Sequence, residues 1–124
     1  MNLDNFYTVQ ALKLVEEHTL SVILQLNQEH EVFKGHFPNH PVLPGVAMLQ
    51  IIKELTEKHY KTLLFMHTSN RVKFLTPVNP FERDTLEFHL TFQQEENTLK
   101  VKNSTTFVDG VTVMQCSLVF AKLG

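Results

Sequence analysis

The sequence predicts an α+β fold in which one buried helix is wrapped by a strongly bent antiparallel sheet. Two observations carry this. From about Pro44 to Lys61 the spacing is helical, and Val46, Ala47, Met48, Leu49, Ile51, Ile52 and Leu55 make most of the circumference apolar. Only one narrow polar stripe remains, formed by Gln50, Lys53, Glu54, Glu57 and Lys61. A helix apolar on most sides is buried on most sides, and in a chain of 124 residues a surrounding sheet must do the burying. The second observation is that nearly everything else reads as strand.

Taken in order, Tyr7 to Glu17 and Thr19 to His30 form two strands with a polar turn at Glu16-Glu17-His18-Thr19. Leu20, Val22, Leu24 and Leu26 alternate with Ser21 and Gln25, the period of a half-buried strand, and Ile23 breaks the pattern toward a second surface. The helix follows, with Pro44 suited to its first position because the missing N–H is not needed there. Leu63 to Val78 is extended, interrupted at Ser69-Asn70 and ended by Pro77. Leu86, Phe88, Leu90 and Phe92 alternate with Glu87, His89, Thr91 and Gln93. After a turn at Gln94-Glu95-Glu96-Asn97, residues Leu99, Val101, Asn103, Thr105 and Phe107 share a face. Asp109-Gly110 marks a hairpin in which both turn positions are expected at positive φ. In the last strand, Val111 to Lys122, the apolar parity shifts between Val113 and Met114, as at a bulge or in a strand covered on both faces.

Length, charge and composition narrow the function. The chain is expected to be a single domain over residues 1–124, of a size that gains from oligomerisation. A formal charge of −2 gives no reason to expect nucleic acid or an anionic membrane as partner. The single cysteine, Cys116, excludes an internal disulfide and reads as a buried small hydrophobe in a reducing, cytoplasmic setting. No signal peptide is expected at Met1 to Phe6, and no apolar stretch approaches the roughly 20 residues that span a bilayer.

The most informative stretch is His36-Phe37-Pro38-Asn39-His40-Pro41-Val42-Leu43-Pro44-Gly45-Val46. It places a histidine in a loop stiffened by Pro38, Pro41 and Pro44, and the loop runs straight into the apolar helix. Gly45 and Val46 begin that helix, so their amide N–H groups lack intrahelical partners and face the positive end of the dipole. Gln50 lies one turn further on, and Glu54 one turn beyond it on the same stripe.

This motif resembles the signature of the hot-dog-fold (3R)-3-hydroxyacyl-acyl-carrier-protein dehydratases, His-Phe-Pro-x-x-Pro-x-x-Pro-Gly-Val followed by a helix that carries an acid. The resemblance continues through Arg71-Val72-Lys73-Phe74-Leu75-Thr76-Pro77-Val78, Phe81 to Leu86 and Val108-Asp109-Gly110. It implies a hot-dog fold and a homodimer, or an oligomer of dimers, in which two sheets join and the active sites lie at the interface. It also implies removal of water from a 3-hydroxyacyl thioester in fatty-acid, related lipid or polyene synthesis. The thioester is carried on acyl carrier protein or coenzyme A. The departure is Gln50, which stands where the family places glutamate or aspartate.

The chemistry assigns each residue an expected role. His36 is the expected base, since an imidazole with an ordinary pKa of about 6.5 titrates near working pH. Gly45 and Val46 supply an oxyanion hole for the thioester carbonyl, with Phe37 and Pro44 beside the substrate. Gln50 cannot donate or take up a proton as a carboxyl does; it either orients a hydroxyl or water, or belongs to the solvated stripe. Glu54 and His40 are the alternative acids. Arg71, Lys73, Arg83 and Lys34 form a candidate basic patch for an acidic carrier. Phe33, Phe37, Phe74, Phe88 and Phe92 line either an acyl tunnel or the core. No metal site is expected, because the intervening proline keeps His36 and His40 from sharing a helical face. His18, His30, His59, His67 and His89 read as turn or surface positions without partners. No nucleotide cofactor is implied by four unclustered glycines. Two other functions fit the same residues: an acyl thioesterase with Gln50 holding a water, and a catalytically impaired acyl-binding subunit of a heteromeric dehydratase.

Overall fold

The computed structural model describes residues 3–35 and 39–122. Strand β1 (Tyr7–Glu16) and β2 (Thr19–Leu26) form a hairpin, followed by a short helix α1 (Glu31–Gly35) and the long helix α2 (Gly45–Tyr60). Four strands complete the chain: β3 (Leu64–Phe74), β4 (Thr85–Gln94), β5 (Thr98–Phe107) and β6 (Thr112–Lys122). They make one six-stranded sheet in the order β1-β2-β4-β5-β6-β3, with antiparallel pairing throughout.

The core is the helix-facing side of the sheet packed on α2. Leu20, Val22, Leu24 and Leu26 of β2 and Leu86, Phe88, Leu90 and Phe92 of β4 are buried, as period-2 strands require. They meet Ala47, Met48, Ile51, Ile52 and Leu55 of α2 in one apolar cluster. Burying a phenylalanine such as Phe88 stabilises the fold by roughly 1.5–3 kcal/mol. The β5 face predicted from Leu99 to Phe107 is buried along its whole length, Asn103 and Thr105 included. Their polar atoms are satisfied locally. Thr105 Oγ1 donates to Asn103 Oδ1 at 2.9 Å, and Asn103 Nδ2 donates to the His89 carbonyl at 3.3 Å.

Several expectations are corrected. The second strand stops at Leu26 rather than His30, and α1 follows unpredicted. His30 caps α1: its Nδ1 accepts from Val32 N–H at 3.1 Å, which leaves Nε2–H to donate to the Asp4 carbonyl at 3.0 Å. Pro44 is the N-cap of α2 rather than its first helical residue, with φ −65 and ψ 143. At the other end Lys61 takes the left-handed conformation, φ 54, and caps the helix through Glu57 O. Strand β3 runs through Ser69-Asn70 and ends at Phe74, with register shifts between Met66 and Thr68 and between Asn70 and Lys73. In the last hairpin Gly110 alone of the expected pair has positive φ, 93. Its N–H closes a turn on the Phe107 carbonyl at 2.9 Å, while the Asp109 carboxylate accepts from Val111 N–H. The parity shift in β6 is a bulge. Thr105 pairs with Met114 and Thr106 with Thr112, so Val113 is the extra residue, and Val113 and Met114 are both buried.

Candidate active site

The site is built at the start of α2. Pro44 has no N–H and makes no side-chain cap; its carbonyl accepts from Ala47 N–H at 3.1 Å and Met48 N–H at 3.3 Å. Among the described residues no acceptor meets the amides of Gly45 and Val46, and the Val46 side chain is exposed. Among the described residues these are two unpaired donors at the positive end of a 16-residue helix, the form of a candidate anion or carbonyl-oxygen subsite.

The wall of this subsite comes from the segment after β3. Leu43 N–H donates to the Val78 carbonyl at 2.9 Å, which ties the proline loop to it. Val42, Pro44, Gly45, Phe74, Thr76 and Pro77 are among the residues lining a pocket of about 310 Å³. Phe74 is not a core residue; it lies exposed, its ring over Gly45. A Cβ on Gly45 would collide with Phe74 Cζ, so glycine is what lets the ring approach the helix terminus.

One turn into α2 the polar stripe becomes a network. Glu54 Oε1 accepts from the Tyr7 hydroxyl at 2.8 Å, and Glu54 Oε2 accepts from Gln50 Nε2 at 3.2 Å. Gln50 is therefore bound within the protein rather than merely solvated. Burial first, then the hydrogen bond and the charge of Glu54, push the Tyr7 hydroxyl well above its ordinary pKa of 10.0. Tyr7 was not singled out in the sequence. It lies 47 residues from Glu54, and no local spacing relates them. The neighbouring acid Glu57 holds the chain after the helix: it accepts Leu64 N–H at 2.9 Å and lies 3.7 Å from Lys53 Nζ.

His36, Phe37 and Pro38 lie outside the described residues. His40 is exposed in a bend, without a hydrogen-bond partner among the described residues. Phe33, Phe88 and Phe92 are core residues. The histidines expected without partners have them. His89 Nε2 is 3.0 Å from Glu87, His18 is 3.8 Å from Glu17, His59 stacks on Phe92 at 5.3 Å, and His67 Nδ1 is 3.0 Å from Thr68 Oγ1.

The expected basic patch does not gather as a foursome. Arg83 pairs with Asp109 at 3.2 Å and lies over the Phe107 ring. Arg71 instead joins Lys100 and Lys102 in a broad groove of about 990 Å³, walled by Glu16, Glu17 and His18. Lys73 lines an adjoining hollow with Arg71 and Lys102. Cys116 is buried, and burial pushes its thiol from 9.0 up to about 11. Among the described residues no group of three or more histidine, cysteine or acidic side chains is placed to hold a metal ion.

A buried helix in a six-stranded antiparallel wrap, with its open N-terminus facing a proline loop, is the hot-dog architecture. Comparison with solved structures agrees. A chain of the dehydratase heterocomplex ApeI:P from Xenorhabdus doucetiae superposes with a TM-score of 0.75 at 21% identity, covering 92% of this chain and 96% of that one. A hypothetical thioesterase from Streptococcus pneumoniae, solved with coenzyme A, superposes with a TM-score of 0.68 at 10% identity, covering 95% and 86%. At such identities the likeness is one of fold. Sequence is more specific. The 3-hydroxyacyl-acyl-carrier-protein dehydratase FabZ of a Nitratiruptor species is 31% identical over 122 residues, covering 88% of this chain and 81% of the relative. That of Streptococcus pneumoniae serotype 4 is 32% identical over 114 residues, covering 86% and 80%. The model of the ApeI-like family, described as ApeI dehydratase, matches residues 12–114. The chain belongs to this hot-dog-fold family of 3-hydroxyacyl-acyl-carrier-protein dehydratase-like proteins.

Proposed function

We propose that the protein is a hydro-lyase that removes water from a (3R)-3-hydroxyacyl thioester, carried on acyl carrier protein or coenzyme A, in fatty-acid or related lipid or polyene synthesis. The observation that carries this reading is the open first turn of α2: among the described residues no acceptor meets the Gly45 and Val46 amides, Gly45 lines a pocket with Pro44 and Phe74, and Gln50 follows Val46 by one helical turn. His36 takes the proton from C2, and the electron pair of that C–H bond forms the C2–C3 double bond. Charge collects on the thioester oxygen as that proton leaves, where Gly45 and Val46 donate, and it flows back through C2 into the double bond as the C3–O bond breaks and its pair departs with the hydroxide. Phe37 and Pro44 flank the chain. The departing hydroxide needs one proton to become water. Gln50 holds the hydroxyl without supplying that proton. The imidazolium formed at His36 carries the proton taken from C2 and returns it. Glu54 and His40 are the other candidate donors. Both Glu54 oxygens already accept hydrogen bonds, which favours an orienting role for it.

The same reading takes the chain as a single domain working as a homodimer in the cytoplasm, with no cofactor. The edge strand β3 supports the dimer, since Phe65 is exposed along it and no strand lies beyond it among the described residues. Among the described residues no helix is long and apolar enough to cross a membrane.

The test is turnover of a (3R)-3-hydroxyacyl thioester by the native protein and by Gln50→Glu, followed as enoyl thioester formed. Clear native turnover is expected. A second reading, an acyl-binding subunit of a heteromeric dehydratase, is favoured by Gln50 itself. It predicts a silent native protein and a gain in Gln50→Glu. Free thiol released without enoyl product would indicate a thioesterase instead.

A further inference from the structure

The chain of bonds Tyr7–Glu54–Gln50 has a direction. A carboxylate offers acceptors only, so the group of Gln50 that faces Glu54 must be its amide nitrogen. The carbonyl oxygen, Oε1, is then turned to the other side, and among the described residues no donor meets it. A glutamine free of such a partner turns either end of its amide outward. Here the flip would set Oε1 against the Glu54 carboxylate, two acceptors face to face. Tyr7 holds the other oxygen of Glu54, and it remains a donor because its hydroxyl stays protonated well above neutral pH. Glu54 is thus fixed from a strand at one end and from its own helix at the other, one turn from Gln50.

We propose that Tyr7 and Glu54 are positioning residues that lock the Gln50 amide, making its carbonyl oxygen a fixed acceptor for a ligand hydroxyl and the site selective for 3-hydroxyacyl chains over saturated ones. This deepens the dehydratase reading and rests on it for the identity of the chain. The selectivity has a simple origin. A saturated chain brings no donor to Oε1 and displaces the water that otherwise satisfies it, leaving a desolvated acceptor unpaired. An acid at position 50 would accept or donate according to its protonation. A locked amide oxygen only accepts.

Two measurements on the full chain test this. In ¹⁵N-labelled protein, one Gln50 side-chain amide proton is expected to exchange at least tenfold more slowly than those of the exposed Gln93, and that protection is expected to vanish in Glu54→Ala and to weaken in Tyr7→Phe. A native Gln50 amide exchanging as fast as Gln93 overturns the proposal. The second measurement is calorimetric binding of the amide analogues of a 3-hydroxyacyl-pantetheine and the saturated acyl-pantetheine of equal length. The native protein is expected to favour the hydroxylated ligand by about tenfold, and Glu54→Ala by about twofold or less. An unchanged ratio in Glu54→Ala, or no binding of either ligand by the native protein, overturns the proposal. A purely structural role for the pair would lower the thermal midpoint without moving the ratio. A locked amide with intact selectivity and no enoyl product would sink the dehydratase reading alone. Turnover with a freely exchanging amide would sink the lock alone.

Discussion

Strands β1 and β2 are two arms of one hairpin, each with leucines two residues apart, and they have opposite fates. Leu12 pairs with Val22 and Leu14 with Leu20, so these side chains share one face of the sheet. Val22 and Leu20 are 0% and 1% exposed, whereas Leu12 and Leu14 are 59% and 54% exposed. Pairing put them on the same face, but burial depends on what lies above it. Helix α2 covers β2, and β1 reaches that helix through Tyr7 and Glu54 at its first residue. Register shifts between Val9 and Ala11 and between Leu14 and Glu16 interrupt the regular ladder between β1 and β2. The contact that pins this uncovered strand is also the one that organises Gln50, so edge stability and site geometry meet at Tyr7.

That contrast can be broken or sharpened by mutation. The largest stability effect is expected from Leu20→Ala, about 3 kcal/mol by urea denaturation, because a sealed core is left with a cavity. Next comes Tyr7→Phe, at about 1–2 kcal/mol, which removes a hydrogen bond to a charged acceptor and loosens the first turn of β1. Leu14→Ala is expected to cost less than about 0.5 kcal/mol, as for an exposed position. If Leu14→Ala instead costs as much as Leu20→Ala, and the cost depends on protein concentration, then β1 is covered in solution by a second copy and the contrast belongs to the isolated chain.

Alkaline titration separates the two regions in another way. Cys116, in the core sheet, has its thiol raised from 9.0 to about 11 by burial. A raised folded-state value means the folded protein keeps a proton that the unfolded chain releases. The stabilisation is therefore complete below pH 9 and is lost as pH rises through 11. Tyr7 behaves in the same sense from its ordinary value of 10.0 upward. Thermal midpoints measured from pH 8 to pH 11 are expected to fall in the native protein and to fall less steeply in Cys116→Ala. Tyr7→Phe is expected to flatten only the upper part of that curve. Equal slopes in all three proteins would show that neither group is sheltered as described.

The smallest expected stability change is in Gly45→Ala. The new Cβ meets only the far end of the exposed Phe74 ring, which can swing aside. Stability should shift by less than about 0.5 kcal/mol, while the ring is displaced from the helix terminus. A weakened affinity for acyl thioesters with an unchanged thermal midpoint would confirm that Phe74 belongs to the pocket wall.

Much of this molecule was legible before folding. Periods of two and of helical spacing are set by backbone geometry, so β2, β4, β5 and α2 were readable from side-chain chemistry alone. The bulge at Val113 was readable too, since an extra residue shifts parity along the strand. Two elements were not readable for local reasons. Helix α1 is too short to show a period; it is held by the His30 cap and by Phe6 stacked on Phe33 at 5.4 Å. At Asp109-Gly110 a hairpin was readable but its turn was not, because Asp109 satisfies Val111 with its carboxylate instead of adopting positive φ.

The sequence by itself determined the hot-dog layout, the helix terminus at Gly45 and Val46, and a polar stripe that puts Gln50 and Glu54 on one side of α2. These follow from spacing along a single element. Only the tertiary structure decided that β1 would stand uncovered beside a buried β2, that Arg83 would leave the basic cluster for Asp109, and that Tyr7 would reach Glu54 and so orient Gln50. Each of these is a meeting of residues far apart in the chain. Such meetings are set by where the bent sheet ends relative to the helix, a quantity that no local pattern encodes.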